Sequence, residues 1–398
     1  MSSPLPADRA PRSAAVREVA VLVETDSSWG RSVIQGVADY ASKHGPWDLL
    51  IDVREAGGQP WALPDAWRGD GIIARISSPL LVDEIHRRGL PVVDVGDLFQ
   101  DLPGVGAVVT DEGALARMAL EHFKERGFRQ FGYFAPPSPS YSRQRGRHFL
   151  EAVRAEGLEA WEYRPGYATG RRISREEQFK RVRRWLGHLP RPIALLTADA
   201  LRGRQLAEIC RLSGIPVPDE VAILAGDADD LLCNVCSPPL SSITVASQRI
   251  GHDAAALLHG MMQGGAAPTN ALEIPPIGVI GRQSTDVLAI GDPMVVRALR
   301  FIQKHAAQGI VVEDVLRQVP VSRRYLELQF RRYLGRLPAE EIRRIRLERG
   351  RELLGLGDLS IEEIATACGY AGATQFGVAF RKRYGQSPLA YRKRLFKG

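Results

Sequence analysis

The sequence predicts a chain of two unlike parts, an α/β part with parallel sheets and an all-α C-terminal part. Residues 19–282 alternate short β-branched apolar runs with amphipathic helical patterns, which is typical of parallel sheets covered by helices on both faces. Strand-like runs then disappear, and short Arg-rich helical patterns separated by Pro and Gly follow. We place the parts at 18–286 and 287–398, after a disordered tail at 1–17.

The α/β part begins with the buried run VAVLVE at 19–24, and a helix is predicted over 31–43. Further strands are predicted at DLLIDV, GIIARI, PVVDVG and GAVVT, with helices over 79–88 and 112–126 between them. The pattern restarts at FGYFAP, residues 131–136, which indicates two lobes. The second lobe then alternates helices and strands in the order 142–156, PIALLTAD, 202–213, VAILAGD and 248–262.

The C-terminal part contains one pattern written twice, over about 311–335 and 359–385. Each copy has an acidic helix start, an apolar helix, a short break and a second helix ending in an aromatic residue, basic residues and Gly. Phe330 to Gly335 has the same spacing as Phe380 to Gly385. This repetition predicts two helix-turn-helix units, which a helix over 340–354 would connect rigidly.

The net charge of +7 is an average over two different parts. From Asp292 onward the chain has 21 Lys and Arg against 11 acidic residues, whereas the rest has 32 against 35. A basic domain on a mildly acidic body indicates a polyanion partner for that domain, although a solvated basic face is the simpler alternative.

The second helix of the first unit has the side chains for base readout. Ser322 can cap that helix, and its first residues would then face base edges while Phe330 returns to the core. Outward positions bear Arg, which can bond guanine bidentately, and Glu, which can accept a hydrogen bond from cytosine. These outward residues are Arg323, Arg324 and Glu327.

The second unit offers small side chains, which favour van der Waals contact with thymine methyl groups. Its outward residues are Ala373, Thr374, Gln375 and Gly377. Basic residues near the ends of the two helices would meet phosphates, which position a protein without specifying sequence. They are Arg331, Arg332, Arg381, Lys382 and Arg383.

The run from Met294 to Leu395 resembles the AraC/XylS DNA-binding domain, including CGY-x₄-QF-x₃-F-x₃-YG-x-SP-x₂-YR. A helical bundle with a basic surface is the alternative. The resemblance implies duplex DNA as the partner, with both recognition helices on one chain. They would enter adjacent major grooves roughly 34 Å apart.

The α/β part lacks the enzyme motifs that a sequence can reveal. It contains no Walker A loop, no G-x-S-x-G elbow and no HExxH, and Gly104-Val105-Gly106 lacks the third Gly of a dinucleotide site. Cys233-x-x-Cys236 is a lone pair, which favours buried core residues over a metal or redox site. We therefore expect no enzyme activity, no cofactor and no metal.

Polar and aromatic residues follow several predicted strands of the α/β part, where open α/β sheets bind ligands. Carboxylates and Arg can hold vicinal hydroxyls, and a Trp face can pack on sugar C–H groups. Asp at a strand end can instead cap the next helix, and Asp111 fits that alternative. The candidate ligand residues are Asp26, Trp29, Arg31, Asp111, Arg143, Asp199 and Asp227.

The motifs VETDSSWGRSVIQGVADYA, TADALRGRQLAEIC, VPDEVAILAGDADD and SPPLSSI resemble the LacI/periplasmic-sugar-binding sensor family. The fusion with an AraC-type domain through PP-x-GVI-x-RQSTD resembles the xylose-operon activator family. That resemblance implies a two-lobed periplasmic-binding-protein-like sensor for xylose or a related monosaccharide, in a homodimeric activator of transcription that contacts RNA polymerase. Sensors that resemble LacI commonly have a Gln after the strand that follows SPPLSSI, whereas this chain reads ITVASQ, with Val245 near that position and Gln248 beyond it.

No apolar run reaches the length of a membrane span, and the N-terminus lacks the apolar stretch of a secretory signal. With only four cysteines, we expect a cytoplasmic protein that does not contact a membrane. Two alternatives remain open at this point. The α/β part could be an enzyme-like domain with a Cys nucleophile, although Cys210 falls in a helical pattern, or it could only dimerise a constitutive DNA-binding protein.

Overall fold

The structure is a computed structural model. It describes residues 16–51, 63–96, 102–135, 140–164, 174–287, 290, 292–356 and 359–396. The predicted tail at 1–17 lies outside the described residues except for its last two positions.

Two parallel sheets, one in each lobe, confirm the predicted α/β class. In chain order the strands are β1 (Arg17–Leu22), β2 (Trp47–Ile51), β3 (Gly71–Ala74), β4 (Val92–Asp94), β5 (Val105–Thr110), β6 (Phe131–Phe134), β7 (Ala160–Glu162), β8 (Ile193–Thr197), β9 (Val221–Ala225), β10 (Ser241–Thr244), β11 (Leu272–Ile274) and β12 (Gly278–Ile280). The strand orders are β11-β5-β4-β3-β1-β2 and β12-β10-β9-β8-β6-β7. All pairings are parallel except the antiparallel pairing of β10 with β12.

Helices cover the sheets and are the regular secondary structure of the described residues in the C-terminal part. Those of the sensor are α1 (Ser28–His44), α2 (Pro79–Arg88), α3 (Glu112–Glu125), α4 (Ser140–Ala155), α5 (Arg175–Gly187), α6 (Ala200–Leu212), α7 (Asp230–Val235) and α8 (Ser247–Met262). Those of the C-terminal part are α9 (Pro293–His305), α10 (Val312–Gln318), α11 (Arg323–Leu334), α12 (Pro338–Leu356), α13 (Ile361–Ala367), α14 (Ala373–Tyr384) and α15 (Pro388–Phe396). Polar N-cap side chains fix several starts, for example Ser78 at α2 and Ser174 at α5.

The chain crosses between the lobes at 110–112, 244–247 and 274–278. The first lobe therefore contains β1 to β5, α8 and β11, and its core includes Val21, Ile73 and Ile250. The second lobe begins with α3 and contains the sheet from β6 onward, with Phe123 and Phe149 fully buried in its core. Three separate crossings connect the lobes, and the loops at the carboxyl ends of β1 and β9 meet between them, in the region that we call the cleft.

Helix α8 packs unusually close to α1 in the first lobe. A Cβ placed on Gly36 would lie 1.9 Å from the carbonyl oxygen of Gln248, and one on Gly251 would lie 1.9 Å from that of Val33. Both distances are far inside van der Waals contact. The two glycines therefore allow α1 and α8 to pack closely in the first lobe.

The C-terminal part has two apolar cores joined by α12. Phe330 of α11 is fully buried in one core, and Phe380 of α14 is fully buried in the other. Burial of each ring contributes roughly 1.5–3 kcal/mol. Helix α12 contributes Ile342 to the first core and Leu354 to the second, so it connects the two helix-turn-helix units as the sequence predicted.

Candidate ligand cleft and DNA-binding surface

The two lobes meet where the loop after β1 approaches the loop after β9. The Ser28 hydroxyl donates a hydrogen bond to the Ala228 carbonyl at 3.2 Å. Trp29, which the sequence analysis selected, is partly buried and packs against the apolar cores of both lobes. Its ring therefore lies at the junction, where it can present an apolar face to a ligand held between them.

The first-lobe wall of the cleft contains an arginine that the sequence analysis assigned to a strand. The Arg75 guanidinium lies over the Trp29 ring, 4.8 Å from its centroid, and its Nη1 is 3.4 Å from Glu24 Oε2. Arg75 directly follows β3. The rule that selected Trp29, a polar or aromatic residue after a buried strand, would have found Arg75 had the predicted strand ended two residues earlier, at Ala74.

The second-lobe wall contains a buried ion pair between α4 and α3. Arg145 Nε and Nη2 donate to the two carboxylate oxygens of Glu112 at 2.8 and 2.7 Å, and Arg145 also donates to the Ala198 carbonyl. The Arg145 side chain is 5% exposed and that of Glu112 is 8% exposed. Burial lowers the pKa of Arg145 but the Glu112 carboxylate outweighs it, so the pKa is raised and the guanidinium stays charged.

Asp227, a predicted ligand residue, lies beside this ion pair at the end of β9. The pKa of its carboxyl is raised to about 7, chiefly by burial and also by the negative charge of Asp199, against the charges of Arg145 and Arg75, which lower it. The carboxyl therefore responds to arginines from both lobes. A carboxylate flanked by two guanidinium groups can hold the vicinal hydroxyls of a polyol with paired hydrogen bonds.

The other predicted ligand residues are placed differently. Arg143 is exposed, because two residues along a helix span about 200° and only Arg145 faces the core. Asp26 and Arg31 are exposed in the loop after β1 and at the start of α1, where Arg31 donates to the Thr25 carbonyl at 2.9 Å. Their contact with ligand stays a prediction.

Two predicted aspartates cap helices. Asp111 accepts from the Ala114 amide at 2.7 Å at the start of α3, and Asp199 accepts from the Arg202 amide at 2.8 Å at the start of α6. In both residues the carboxylate oxygen that accepts the capping hydrogen bond is Oδ1. Whether either carboxylate also binds ligand stays a prediction.

The first helix-turn-helix unit places its predicted base-reading residues on an accessible face. Ser322 caps α11 by accepting from the Tyr325 amide at 3.2 Å. Arg323 and Arg324 are exposed, and Arg323 forms ion pairs with Glu313 at 2.6 Å and with Glu327 at 3.9 Å. These pairs are exposed and therefore weak, so Arg323 can exchange them for a nucleic-acid contact.

The second unit begins its recognition helix without a side-chain cap of its own. Glu362 of α13 instead accepts from the Ala373 amide at 3.2 Å, while Gln375 accepts from the Ala371 amide at 3.1 Å. Thr374 and Gln375 are exposed, and Gly377 is partly exposed. The face is open and nearly uncharged, as its small residues predicted.

The structure adds one apolar residue to each outward face. Leu328 is 62% exposed on α11, and Val378 is 68% exposed on α14. Each lies two residues before its buried Phe, at matching positions of the repeat. The repeat alone would not have revealed their exposure, since matching apolar positions in the two units are also found in the core, as Phe330 and Phe380 show.

The predicted phosphate-contacting residues lie in the last turns of the two recognition helices. Their side chains are exposed at Arg331, Arg332, Arg381, Lys382 and Arg383. This placement allows the basic side chains to contact DNA phosphates on either side of a major groove.

The cysteines form no cluster with other ligating groups. Cys233 and Cys236 are buried, and burial raises the pKa of both thiols. Within the described ranges no group of three or more His, Cys, Asp or Glu side chains is arranged to hold a metal ion. A search of the same residues for a helix long and apolar enough to span a membrane found none.

Family models cover most of the chain. Residues 18–112 match the XylR N-terminal domain, 120–285 a periplasmic binding protein-like domain and 315–394 a helix-turn-helix domain. The xylose operon regulatory protein of Escherichia coli K12 is 30% identical, over 94% of this chain and 96% of that protein. The protein of the same name from Haemophilus influenzae Rd is 28% identical, over 94% and 98%.

Solved structures agree with these matches. The structure of the xylose-binding transcription activator XylR covers 95% of this chain and 98% of that one, with a TM-score of 0.60 and 28% identity. Among sequence relatives, the transcriptional activator RhaS of Klebsiella pneumoniae is 34% identical, over 24% of this chain and 34% of that protein. The CelR–cellobiose complex shares the sensor fold, with a TM-score of 0.52 and 20% identity over 68% of the chain.

Proposed function

The chain belongs to the family of xylose operon regulatory proteins, and from this premise we propose that it binds D-xylose or a related monosaccharide and activates transcription in response. It is a DNA-binding transcriptional regulator with a sugar-responsive sensor. The cleft around Asp227 is the observation that supports the effector class. It combines a carboxyl group, arginines from both lobes and the Trp29 ring, which is the chemistry that a small polyol requires.

The proposed sugar site extends over both walls of the cleft. Arg75 and Trp29 contribute from the first lobe, and Asp227 and Arg145 from the second. A ligand that bonds both walls would stabilise a closed arrangement of the lobes. Asp26, Arg31, Asp111, Arg143 and Asp199 remain in the proposal as surrounding residues whose contacts the ligand would reveal.

The proposed DNA contacts follow from the two recognition helices. Arg323, Arg324 and Glu327 would read bases in one major groove, and Thr374 and Gln375 in the next. The other proposed members are Ser322, Arg331, Arg332, Ala373, Gly377, Arg381 and Lys382. A single chain would thereby cover half-sites about one helical turn apart.

We further propose that the protein acts as a cytoplasmic homodimer and that it contacts RNA polymerase as an activator. The similarity to XylR and RhaS, both described as transcription activators, supports activation rather than repression. The domain limits that we propose remain 18–286 for the sensor and 287–398 for the DNA-binding part.

The sugar is tested by thermal unfolding with D-xylose, L-arabinose, D-ribose and D-glucose. A ligand at 100 times its Kd adds about 2.7 kcal/mol, which raises the Tm of a domain of this size by roughly 5–10 °C. Asp227→Asn should abolish the shift, whereas Asp219→Asn, at the opposite end of β9, should preserve it. No shift with any sugar would favour the constitutive DNA-binding dimer.

The remaining alternative is an enzyme-like sensor domain. The relatives named above count against it, because they are transcription regulators. Burial raises the pKa of Cys210 to about 12 and that of Cys368 to about 11, so both thiols stay protonated near neutral pH. Cys210 lies within α6 and Cys368 directly follows α13. Neither occupies the strand-to-helix elbow of an amidotransferase-like nucleophile.

A further inference from the structure

The sensor and the DNA-binding part touch through the end of α3 and the loop that follows it. Glu125 pairs with Arg344 of α12, and Glu121 pairs with Arg383 of α14 at 3.2 Å. Arg129 donates to the main-chain carbonyls of Arg332 and Tyr333 in α11, the latter at 2.5 Å. We name these three contacts the latch. They reach both recognition helices and the helix that joins them.

The central contact of the latch is a buried network of charges. The Glu341 side chain is fully buried and accepts from Arg344 Nη2 at 2.9 Å and from Arg336 Nε at 2.5 Å. The side chains of Arg344 and Glu125 are only 12% and 15% exposed. Charges this deep are costly without partners, so they favour one relative placement of the two parts.

The segment that leads from the sensor into the DNA-binding part is also held by α3. Thr285 Oγ1 is 2.9 Å from His122 Nε2 and 2.6 Å from Ser241 Oγ, and its carbonyl accepts from Arg126 Nε at 2.9 Å. These hydrogen bonds join the exit of the sensor to its second lobe. The latch and the exit segment therefore hold the DNA-binding part on the same lobe.

The opposite end of α3 lies at the cleft. Glu112, the first residue of the helix, forms the buried pair with Arg145, whose charge acts on Asp227. Fourteen residues make the helix about 20 Å long. Leu115, Ala119 and Phe123 are fully buried along its length, so α3 is packed as a rigid member of the second lobe.

We infer that α3 transmits the state of the cleft to the DNA-binding part, because the latch makes that part move with the second lobe. This inference rests on the proposed sugar response. Closure around a ligand rotates the second lobe relative to the first, and the latch carries both recognition helices with it. A chain without the latch would still bind sugar and DNA, but the two events would become independent.

The principal test removes the carboxyl group of the latch with Glu125→Gln, at pH 8, because burial raises the pKa of Glu125 to about 7. The matched control is Glu156→Gln, which removes an exposed ion pair that Lys124 of the same helix forms within the second lobe. Operator DNA, selected from genomic fragments by the wild-type protein, is titrated with and without saturating D-xylose. We expect the wild type and E156Q to change operator Kd at least fivefold with xylose, and E125Q to change it less than twofold. A full response in E125Q would overturn the inference.

Glu121→Gln supplies a variant that does not threaten the fold, since this pair is about half exposed. It frees Arg383 for DNA phosphate, so we expect operator binding without xylose to tighten about two- to fivefold. We also expect a smaller response to xylose. Unchanged affinity and response in E121Q would contradict a role for this contact.

A distance measurement separates failure of the latch from failure of the proposed function. Spin labels on Arg183→Cys of the second lobe and Lys393→Cys of α15 report the separation of the two parts, because the four native cysteines are buried. We expect one narrow distance distribution, which E125Q broadens. A broad distribution in the otherwise wild-type chain would overturn the latch whether or not any sugar binds. Failure to bind sugar with a narrow distribution would instead refute the proposed effector.

Discussion

The ion pair between Glu112 and Arg145 should be the most sensitive point of the cleft. Replacing Glu112 with Gln keeps the shape of the side chain but removes the carboxylate that accepts two hydrogen bonds from the buried Arg145 guanidinium. Both side chains are less than a tenth exposed. Removing one partner of such a pair typically costs 3–5 kcal/mol, because the remaining charge stays desolvated. That is a large share of the 5–15 kcal/mol by which a native domain is stable.

Urea unfolding and thermal unfolding measure this cost. At roughly 2–4 °C per kcal/mol for a domain of this size, E112Q should lower the Tm of the sensor transition by about 6–20 °C. Glu156→Gln is the matched control, since its pair with Lys124 is 31–42% exposed and is worth less than about 1 kcal/mol. Equal unfolding midpoints for E112Q and E156Q would refute the reasoning.

Three further results are expected. D-xylose affinity, measured by calorimetry, should rise as the pH increases through about 7. The reason is that the pKa of Asp227 is raised to about 7, so above that pH its carboxylate can accept two hydrogen bonds from sugar hydroxyls. The Asp227→Asn variant should bind D-xylose weakly, with an affinity that does not depend on pH. Arg324→Ala should weaken operator binding at least fivefold in fluorescence anisotropy, whereas Arg183→Ala, exposed on the sensor, should not. Gly36→Ala should lower the Tm, since its Cβ meets a carbonyl, while Gly187→Ala, in open space, should not.

Each of these has an outcome that would count against it. A pH-independent xylose Kd in the wild type would remove Asp227 from the site. Equal operator affinity for the two arginine variants would place the base contact elsewhere. A stable Gly36 variant would show that the packing of α1 on α8 yields easily. Rising pH should affect protein stability and sugar binding in opposite directions at Asp227. Because the pKa of this carboxyl is raised in the folded state, its contribution to the free energy of unfolding is present at low pH and is lost as the pH rises through about 7.

The fold could be predicted because its signals are local. Short β-branched runs between amphipathic helices predict parallel strands, and the restart at Phe131 falls on the first strand of the second sheet. The predicted helix over 79–88 coincides with α2, since Ser and Pro mark its start and Gly its end. The repeat of Phe330 and Phe380 correctly predicted two buried anchors in two helix-turn-helix units.

The cleft was harder to predict, because helix phase and chain crossing decide which side chains meet. Arg143 was selected from the sequence, and its contact with ligand stays a prediction; the structure buries Arg145, which faces the core from the same helix α4. Arg75 was assigned to the end of a strand, and nothing local reveals that it lies over Trp29. Asp227 was selected as a polar residue after a strand and does follow β9, but its pKa depends on arginines from both lobes, which the sequence does not reveal.

Contacts between the two parts of the chain lay beyond the reach of the sequence. Glu125 and Arg344 are separated by 219 residues, and each has the ordinary appearance of a charged residue on a helical surface. Leu328 and Val378 required knowledge of exposure, since an apolar residue on a helix is normally assigned to the core.

Reciprocal titration tests the central claim, that the cleft controls the DNA-binding part. The Kd of operator DNA is measured with and without saturating D-xylose, and the Kd of D-xylose with and without saturating operator. Linkage requires the two ratios to be equal, and the account predicts a common factor of five or more. Two ratios of one, with both ligands bound, would show that the sensor and the DNA-binding part act independently and would contradict the account.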